Sequence, residues 1–391
     1  MNIDELLLAA RQLAPQIAAS CCVVNGAIMN LDEIERMGYQ KFGLRSKLNM
    51  PCKLYKYFPN IAKKSDENVI NYSMQALKNN TVFMQAPNEF DDVYDSDINV
   101  DFSEYERLRL AEYCRRCKID VHDSLSTLEI GNLLIQSLIT EFNQSGSFES
   151  VFKEKPTSKI EELSNQSFSL RLNIELHKGN DLGVALSNII RYDYYEEYCS
   201  RLKNIFRTSC FATTPYSQLM WVGSYADCHR GFCVEYTVLP EDDNYKGIYQ
   251  NLFPMIYCKT RPNMAEKLVK LQDKEITEDG LWDIYSHGAL RKSIDWSFQN
   301  EWRLLLPLQS NNISNYNIKF SPITKVFLGN RMPPKKRAEI IEICKEHNVP
   351  YIGVTRNPNI FEMQDCEILC ENCPNFKNGL TRGSRKSSKK R

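Results

Sequence analysis

Glu301-Trp302-Arg303-Leu304-Leu305-Leu306 reads as a β-strand that enters a core from a charged edge. Period-two alternation puts Glu301 and Arg303 on one face and Trp302 on the other, and the leucines pull the strand inward. Downstream, Ile323 through Leu328 predicts a second strand. A helix opens at Pro333 or Pro334 and runs through Cys344, and Val349 through Val354 predicts a third strand. Upstream, Ser209 through Ala212, Gly231 through Tyr236, and Tyr249 through Tyr257 have strand character, with a helix expected around 265–276. Leu54-Tyr55-Lys56-Tyr57-Phe58, bounded by Pro51 and Pro59, and Thr81 through Ala86 add two more strands. Residues 103–205, in contrast, read as almost entirely helical, with capping-box spacing at Ser103/Glu106 and at Ser126/Glu129. The expected class is α+β: a mixed sheet core with a large helical insertion and a short N-terminal helical extension.

The expected segments are an N-terminal helical extension (1–50), a first core part (51–102), a helical insertion or lid (103–206), a second core part (207–360) and a C-terminal segment (361–391). In the extension, Leu6, Leu7, Ala10, Leu13, Ala14, Ile17 and Ala18 predict an amphipathic helix over 3–22. Gly26 punctuates it, and a second helix is expected near Asn30 or Asp32. Ser65 is read as the cap of a helix that buries Val69, Met74 and Leu77. The C-terminal segment holds cysteines and then a basic tail: Lys377, Arg382, Arg385, Lys386, Lys389, Lys390 and Arg391. The tail is expected to be disordered and suited to nucleic acid or an acidic protein.

Composition narrows the function classes. The 391 residues suit two or three domains at ~150 residues each. Hydrophobic residues at 42% and charged residues at 25% exclude wholesale disorder. Lys plus Arg and Asp plus Glu both number 49, so no global basic field exists to hold nucleic acid. No apolar run reaches ~18 residues, so no membrane span is expected. Asp4-Glu5 and Arg11-Gln12 do not fit a secretory signal, which makes cytoplasm the expected compartment. The 14 cysteines are then read as free thiols or metal ligands rather than a disulfide framework. No P-loop, glycine-rich dinucleotide fingerprint or nucleophile elbow occurs, which argues against P-loop hydrolysis and Rossmann dehydrogenase chemistry.

Four clusters carry candidate chemistry. If 219–230 is one helix, Trp221, Tyr225 and His229 share a face that suits a planar ring, with His229 and Arg230 offered to a phosphate or proton. The same spacing also suits a core stripe with a hydrogen-bonded histidine. Glu301 is a candidate cleft carboxylate and Arg303 its partner or a bidentate phosphate ligand, a structural Glu–Arg pair at a strand start being an equally simple alternative. Glu89, Asp91, Asp92, Asp95 and Asp97 form an acidic loop whose oxygens suit Mg²⁺ or Ca²⁺, though without EF-hand spacing; a solvated or arginine-pairing loop is the alternative. Cys366, Cys370 and Cys373 have the spacing of structural zinc ligands, with Cys344 or His347 as a fourth. That spacing also fits a radical-SAM cluster, but only 18 residues follow Cys373, too few for the required barrel. Cys114-x-x-Cys117 lies within a predicted helix. Glu and Arg at a core edge need partners, so Tyr55, Trp221, Tyr225, His229, Glu301 and Arg303 are expected to converge on one pocket.

Leu54 through Tyr57, Phe83 through Asp92, Met220 through Tyr236 and Trp296 through Arg303 occur in an order that resembles the bacterial DUF2971 family. That family's pattern runs from an aromatic "LYKY" strand through "W(F)xSxPxxFNDPFD" and "MWxxYAxxHxGxCxEF" to "ExEWR". The likeness extends over roughly residues 52–355. It departs at Phe90-Asp91-Asp92-Val93-Tyr94-Asp95, which stands where the family has FNDPFD, and at Gln299, which replaces the first Glu of the last motif. Gln299-Asn300-Glu301 also resembles the Q/E-x-E element of ADP-ribosyltransferases. That likeness implies a glutamate on the ribose 2′-hydroxyl of NAD, with the family's first-strand Arg or His matched by Lys56 or by no residue.

These residues together predict an enzyme acting on a nucleotide or nucleic-acid-linked substrate. Glu301 and His229 would be catalytic, and Tyr55, Lys56, Trp221, Tyr225, Arg230 and Arg303 would bind substrate. The specific form is NAD-dependent ADP-ribosyl transfer by a defence or toxin-like effector. Two other readings stand beside it: a non-catalytic nucleotide-binding sensor or interaction protein, and a metal-dependent nuclease using Asp91, Asp92 and Asp95. The oligomeric state is left open.

Overall fold

The computed structural model of the chain describes residues 20–65, 68–148, 151–152, 159–194, 206–261, 263–272, 286–307 and 316–367, together with Glu5 and Ile284. In chain order the strands are β1 (Cys21–Val24), β2 (Ala27–Asn30), β3 (Lys53–Phe58), β4 (Lys63–Ser65), β5 (Asn68–Ile70), β6 (Thr81–Met84), β7 (Phe206–Ala212) and β8 (Phe232–Thr237). They continue as β9 (Leu252–Pro254), β10 (Ile256–Cys258), β11 (Arg291–Ser293), β12 (Glu301–Pro307), β13 (Tyr316–Lys319), β14 (Ile323–Leu328), β15 (Tyr351–Arg356) and β16 (Met363–Asp365). The fold is mixed α and β, with a multi-stranded sheet core and a helical insertion, as the hydrophobic patterning predicts.

Eight strands form the central sheet in the order β16-β15-β14-β8-β3-β7-β12-β9. β12 pairs with β7 along its whole length, from Glu301↔Ala212 to Pro307↔Phe206. Only β14 and β15 run parallel in this sheet. The helix Pro334–Glu346 makes that crossover, with Pro at its start and Ile340, Ile341 and Cys344 buried. One sheet face carries Leu54, Phe58, Phe211, Val234, Trp302 and Leu304 against this helix and the helix Tyr72–Asn79. The opposite face carries Tyr57, Ala212, Cys233 and Phe327, covered by Met220, Trp221 and Ala226. Each fully buried large apolar side chain contributes ~1.5–3 kcal/mol.

A second sheet, ordered β11-β10-β1-β2, leans on the first. It begins with a hairpin that closes on Asn25 and Gly26, at φ 50° and 76°. An Asn-Gly pair is the preferred chemistry of that turn. Asn25 also accepts a hydrogen bond from Trp302 Nε1 at 3.2 Å, which ties the hairpin to β12. The N-terminal extension is therefore partly β. Residues 3, 4 and 6–19 of the predicted 3–22 helix lie outside the described residues, while Cys21 and Cys22 belong to a strand. A helix does start where expected, over Leu31–Met37, with Asn30 accepting from Asp32 N at 2.8 Å.

The insertion builds its own apolar cluster from the helices Phe102–Arg116, Thr127–Ser145, Lys159–His177 and Leu182–Tyr192. The Ser126/Glu129 capping box forms as the sequence predicts. The first helix starts instead on Asp101, which accepts from Glu104 N, so Ser103 lies inside it. The Ser65 cap is likewise replaced: Asn68–Ile70 is a strand, and Asn71 caps Tyr72–Asn79. Ala265, Leu268 and Val269 of the helix Ala265–Gln272 join the insertion's core. Among the described residues no helix is long and apolar enough to cross a membrane.

Two glycines let β8 and β14 start and end against a tightly folded loop. A Cβ on Gly231 would lie 2.2 Å from Phe58 O, and one on Gly329 2.2 Å from His229 O. Gly247, in the helix Lys246–Gln250, has nothing within 4 Å of the same position. Gly231→Ala and Gly329→Ala should each destabilise by ~2–4 kcal/mol in urea titration. Gly247→Ala should stabilise by up to ~1 kcal/mol.

Candidate functional site

Asn300 adopts a left-handed conformation at φ 41°, and the chain then enters β12 at Glu301. Arg303 is fully buried two residues on. Its Nε donates to Glu301 Oε1 at 2.8 Å. Its two terminal nitrogens donate to Asp95 Oδ1 and Oδ2 at 2.6 and 2.9 Å, a bidentate fork. Nη1 also reaches Ser96 Oγ at 3.0 Å and Ala289 O at 2.9 Å. Lys292 Nζ sits 3.0 Å from Asp95 Oδ2 and 3.6 Å from Glu301 Oε2. Two carboxylates thus meet two cations in a buried quartet. Burial alone pushes the Asp95 and Glu301 carboxyls up, but Arg303 and Lys292 outweigh it and hold both below the usual carboxylate range.

The acidic loop therefore serves an arginine. Asp95 turns inward while Asp91 stays exposed and Asp92 accepts from Tyr94 N at 2.9 Å. The metal reading of Asp91, Asp92 and Asp95 is corrected accordingly, since among the described residues no group of three or more His, Cys, Asp or Glu is placed to hold a metal. The same finding overturns the structural zinc. Cys366 N extends a strand edge by donating to Gly353 O at 2.8 Å, and Cys344 is packed in the apolar core. Cys370 and Cys373 lie outside the described residues.

The remaining predicted residues separate. Tyr55 pairs in register with Ala212, which pairs with Glu301, so Tyr55 shares the quartet's sheet face. Its hydroxyl donates to Glu235 Oε2 at 3.1 Å, and Glu235 also accepts from Lys53 and Thr324, both at 2.7 Å. Tyr225 lies over this face, its hydroxyl accepting from Gln299 Nε2. Lys56 points to the other face, donating to Ser209 Oγ at 2.9 Å and Cys210 O at 3.1 Å, and burial lowers its pKa.

Residues 219–230 do not form one helix. Helix Gln218–Val222 is followed by a 3₁₀ turn, Ser224–Ala226, and then Asp227, Cys228 and His229 all have positive φ. Trp221 is a core residue, donating to Pro215 O at 2.7 Å and meeting the Tyr57 ring edge-on at 5.3 Å. The His229 ring stacks on it at 6.2 Å. Burial and Arg331 lower the His229 pKa, which favours neutral imidazole. Arg230 is exposed and paired with Asp227 at 2.6 Å. His229 belongs to the loop entering β8. Three strand spacings separate β8 from β12, ~14 Å at ~4.8 Å each. The structure thus brings Tyr225 to Glu301 and Arg303, engages Tyr55 with Glu235 on the same sheet face, places Lys56 on the opposite face but within electrostatic reach of Glu301, and leaves His229 and Arg230 elsewhere.

Beside the quartet lies a cavity of about 200 Å³. Lys259, Arg261, Arg291 and Lys292 line it against the single acid Asp97, with Tyr94, Ile98 and Met264 among its walls. Arg261 pairs with Asp97 and stacks 5.3 Å above Tyr94, and Arg291 is held by Glu35 at 2.6 Å. His287, also in the lining, is pushed down to about 2 by burial, with Arg291 and Lys267 adding to the effect, so it is neutral. Sequence reading missed these groups. Their signal was two basic clusters, Lys259/Arg261 just after β10 and Arg291/Lys292 at the start of its parallel neighbour β11.

Residues 220–304 match the family model described as protein of unknown function, DUF2971, which covers Trp221, Tyr225, Glu235, Lys292, Glu301 and Arg303. No curated protein and no solved structure matches the chain.

Removing Asp95 should expose how much depends on the quartet. Asp95→Asn should cost ~3–5 kcal/mol at pH 7, because Arg303 then lacks its bidentate partner. Asp95 and Glu301 titrate lower in the fold than in the unfolded chain. Their contribution is therefore complete above about pH 4 and is lost as the pH falls toward their folded-state values. Denaturant titrations from pH 7 to pH 3 should show wild type converging on the variant.

Proposed function

We propose that this protein binds a small phosphorylated ligand of the nucleotide class in the cavity between the Tyr94–Asn99 loop, the Cys258–Met264 segment and β11. The observation that carries this reading is the convergence of Lys259, Arg261, Arg291 and Lys292 on one recess, where Arg261, Arg291 and Lys292 also keep carboxylate partners in Asp97, Glu35 and Asp95. Guanidinium and ammonium groups in a partly desolvated recess favour a phosphate dianion. About 200 Å³ is below the ~300–1,000 Å³ of drug-sized sites, so the recess suits the phosphate end of such a ligand. The exposed ring of Tyr94, at the cavity's edge, offers a stacking surface for a base.

The geometry supports binding over turnover. Glu301 does not line the cavity, and its carboxylate is committed to Arg303 and Lys292. A glutamate that orients a ribose hydroxyl has to face the bound substrate, within hydrogen-bond reach. The quartet instead acts as scaffold, fixing Lys292 at the cavity wall.

Calorimetry with AMP, inorganic phosphate and adenosine tests the reading. AMP should bind, phosphate should bind more weakly, and adenosine should show no saturable heat. Arg261→Ala should weaken AMP binding ~10-fold, the loss of one charge-assisted contact, and raised salt should weaken it further. Equal binding of adenosine and AMP, or no heat from any phosphate-bearing probe, would overturn it.

A further inference from the structure

Cys22 and Cys258 face each other across β1 and β10, in register. The hydrogen-bond phase of that pair follows from the hairpin. A two-residue turn closes on Val24↔Ala27, the pair that exchanges both backbone bonds. Two residues on, Cys22↔Met29 is again the bonded kind, so the Cys22 backbone groups point to β2 and away from β10. On the other side, Ile256 N donates toward β11, to Leu290 O, and Cys258 repeats that orientation. Cys22↔Cys258 is therefore a non-hydrogen-bonded antiparallel pair, in which Cα atoms lie ~4.5 Å apart and the side chains are at their closest. That spacing falls within the range a disulfide spans.

We propose that Cys22 and Cys258 form an oxidant-sensitive dithiol site that closes to a cross-strand disulfide on exposure to a small peroxide. Both side chains belong to one buried cluster, and closure needs only that the Cys22 and Cys258 thiols turn from Met29 O at 3.5 Å and Thr260 O at 3.2 Å toward each other. Cys258 also lines the cavity, which gives a small oxidant its route. Burial pushes the Cys22 thiol up to about 12 and raises that of Cys258, while the Arg291 guanidinium and its hydrogen bond pull Cys258 back. Cys258 is accordingly the attacking sulfur, and the reaction is slow at neutral pH. Its thiolate attacks the peroxide O–O bond, giving a sulfenic acid and one water. The Cys22 sulfur then displaces hydroxide from that sulfenic acid and the S–S bond forms. Two thiols and one hydrogen peroxide yield one disulfide and two waters, with two electrons passing from sulfur to oxygen. The site is independent of the phosphate reading, and either can fail alone.

The test treats the purified full chain with hydrogen peroxide, alkylates remaining thiols, digests without reduction and sequences the linked peptides by mass spectrometry. The expected product joins Cys22 to Cys258 within one monomer, reverses with dithiothreitol and raises the Tm over the reduced protein. Cys21→Ser should keep the link and Cys258→Ser should abolish it. If Cys258→Ser fails to fold, fragment ions that localise the wild-type bond decide the question. A bond to the neighbouring Cys21, a bond between monomers, or recovery of both thiols alkylated or as sulfinic acid would overturn the proposal.

Discussion

Arg303 is a guanidinium with no access to water, and much of the structure is arranged to make that tolerable. An unpaired buried cation is too costly to keep, so carboxylates must come to it. Glu301 is supplied locally, two residues back on the same strand and face. Asp95 comes from the loop after β6, far away in the chain, and Lys292 from β11 balances the second negative charge. Three distant segments therefore have to meet at one point. Isolated buried ion pairs are weak evidence for stability, but here the requirement specifies an arrangement that apolar contacts alone would leave open.

The consequences extend outward from that point. β9 and β10 are joined by Met255, whose N–H donates to Glu301 O at 2.9 Å, and Tyr257 hydroxyl accepts from Glu301 N at the same distance. The strand that carries the quartet's glutamate thus also hands the chain from the large sheet to the small one. With Asp95 held inward, the next residues, Asp97 through Asn99, run along the basic segment after β10, and the cavity is the space left between them. The same demand fixes one side of that cavity, because Lys292 belongs both to the quartet and to the cavity wall.

What could be read in advance is what depends on neighbours in sequence. β8, β12, β14, β15 and the helix after Pro333 announce themselves through alternation, β-branched runs and proline placement, and the Ser126/Glu129 cap is a local motif. Elements misread had two competing local patterns. Asn25-Gly26 is a strong hairpin turn, but the amphipathic spacing before it drew the reading toward helix, and Cys21 and Cys22 went with it. The 219–230 segment has helical spacing for Trp221, Tyr225 and His229, yet it breaks into three successive residues of positive φ, in a loop that Gly231 and Gly329 allow to fold closely on the sheet. The acidic loop and the Arg291/Lys292 cluster are legible as charge, but which residues they meet is not, since Asp95 and Lys292 reach Glu301 and Arg303 through tertiary folding.

Burial led the sequence reading to the right premise and the wrong partner. Charged residues entering a core do need to be met by other groups, and Glu301 and Arg303 are met. The histidine loop does not meet them, because it sits three strands away where its own backbone closes the ends of β8 and β14. An acid followed two residues later by an arginine at a strand start looks alike in sequence whether it faces a substrate or another part of the same chain. What separates the cases is whether the carboxylate faces open space or other groups of the same chain. Glu301 accepts from Arg303 on one oxygen and faces Lys292 on the other, in a cluster with as many carboxylates as cations. A group held in this way positions its neighbours, and Lys292, fixed in the same cluster, forms part of the wall of the cavity beside it.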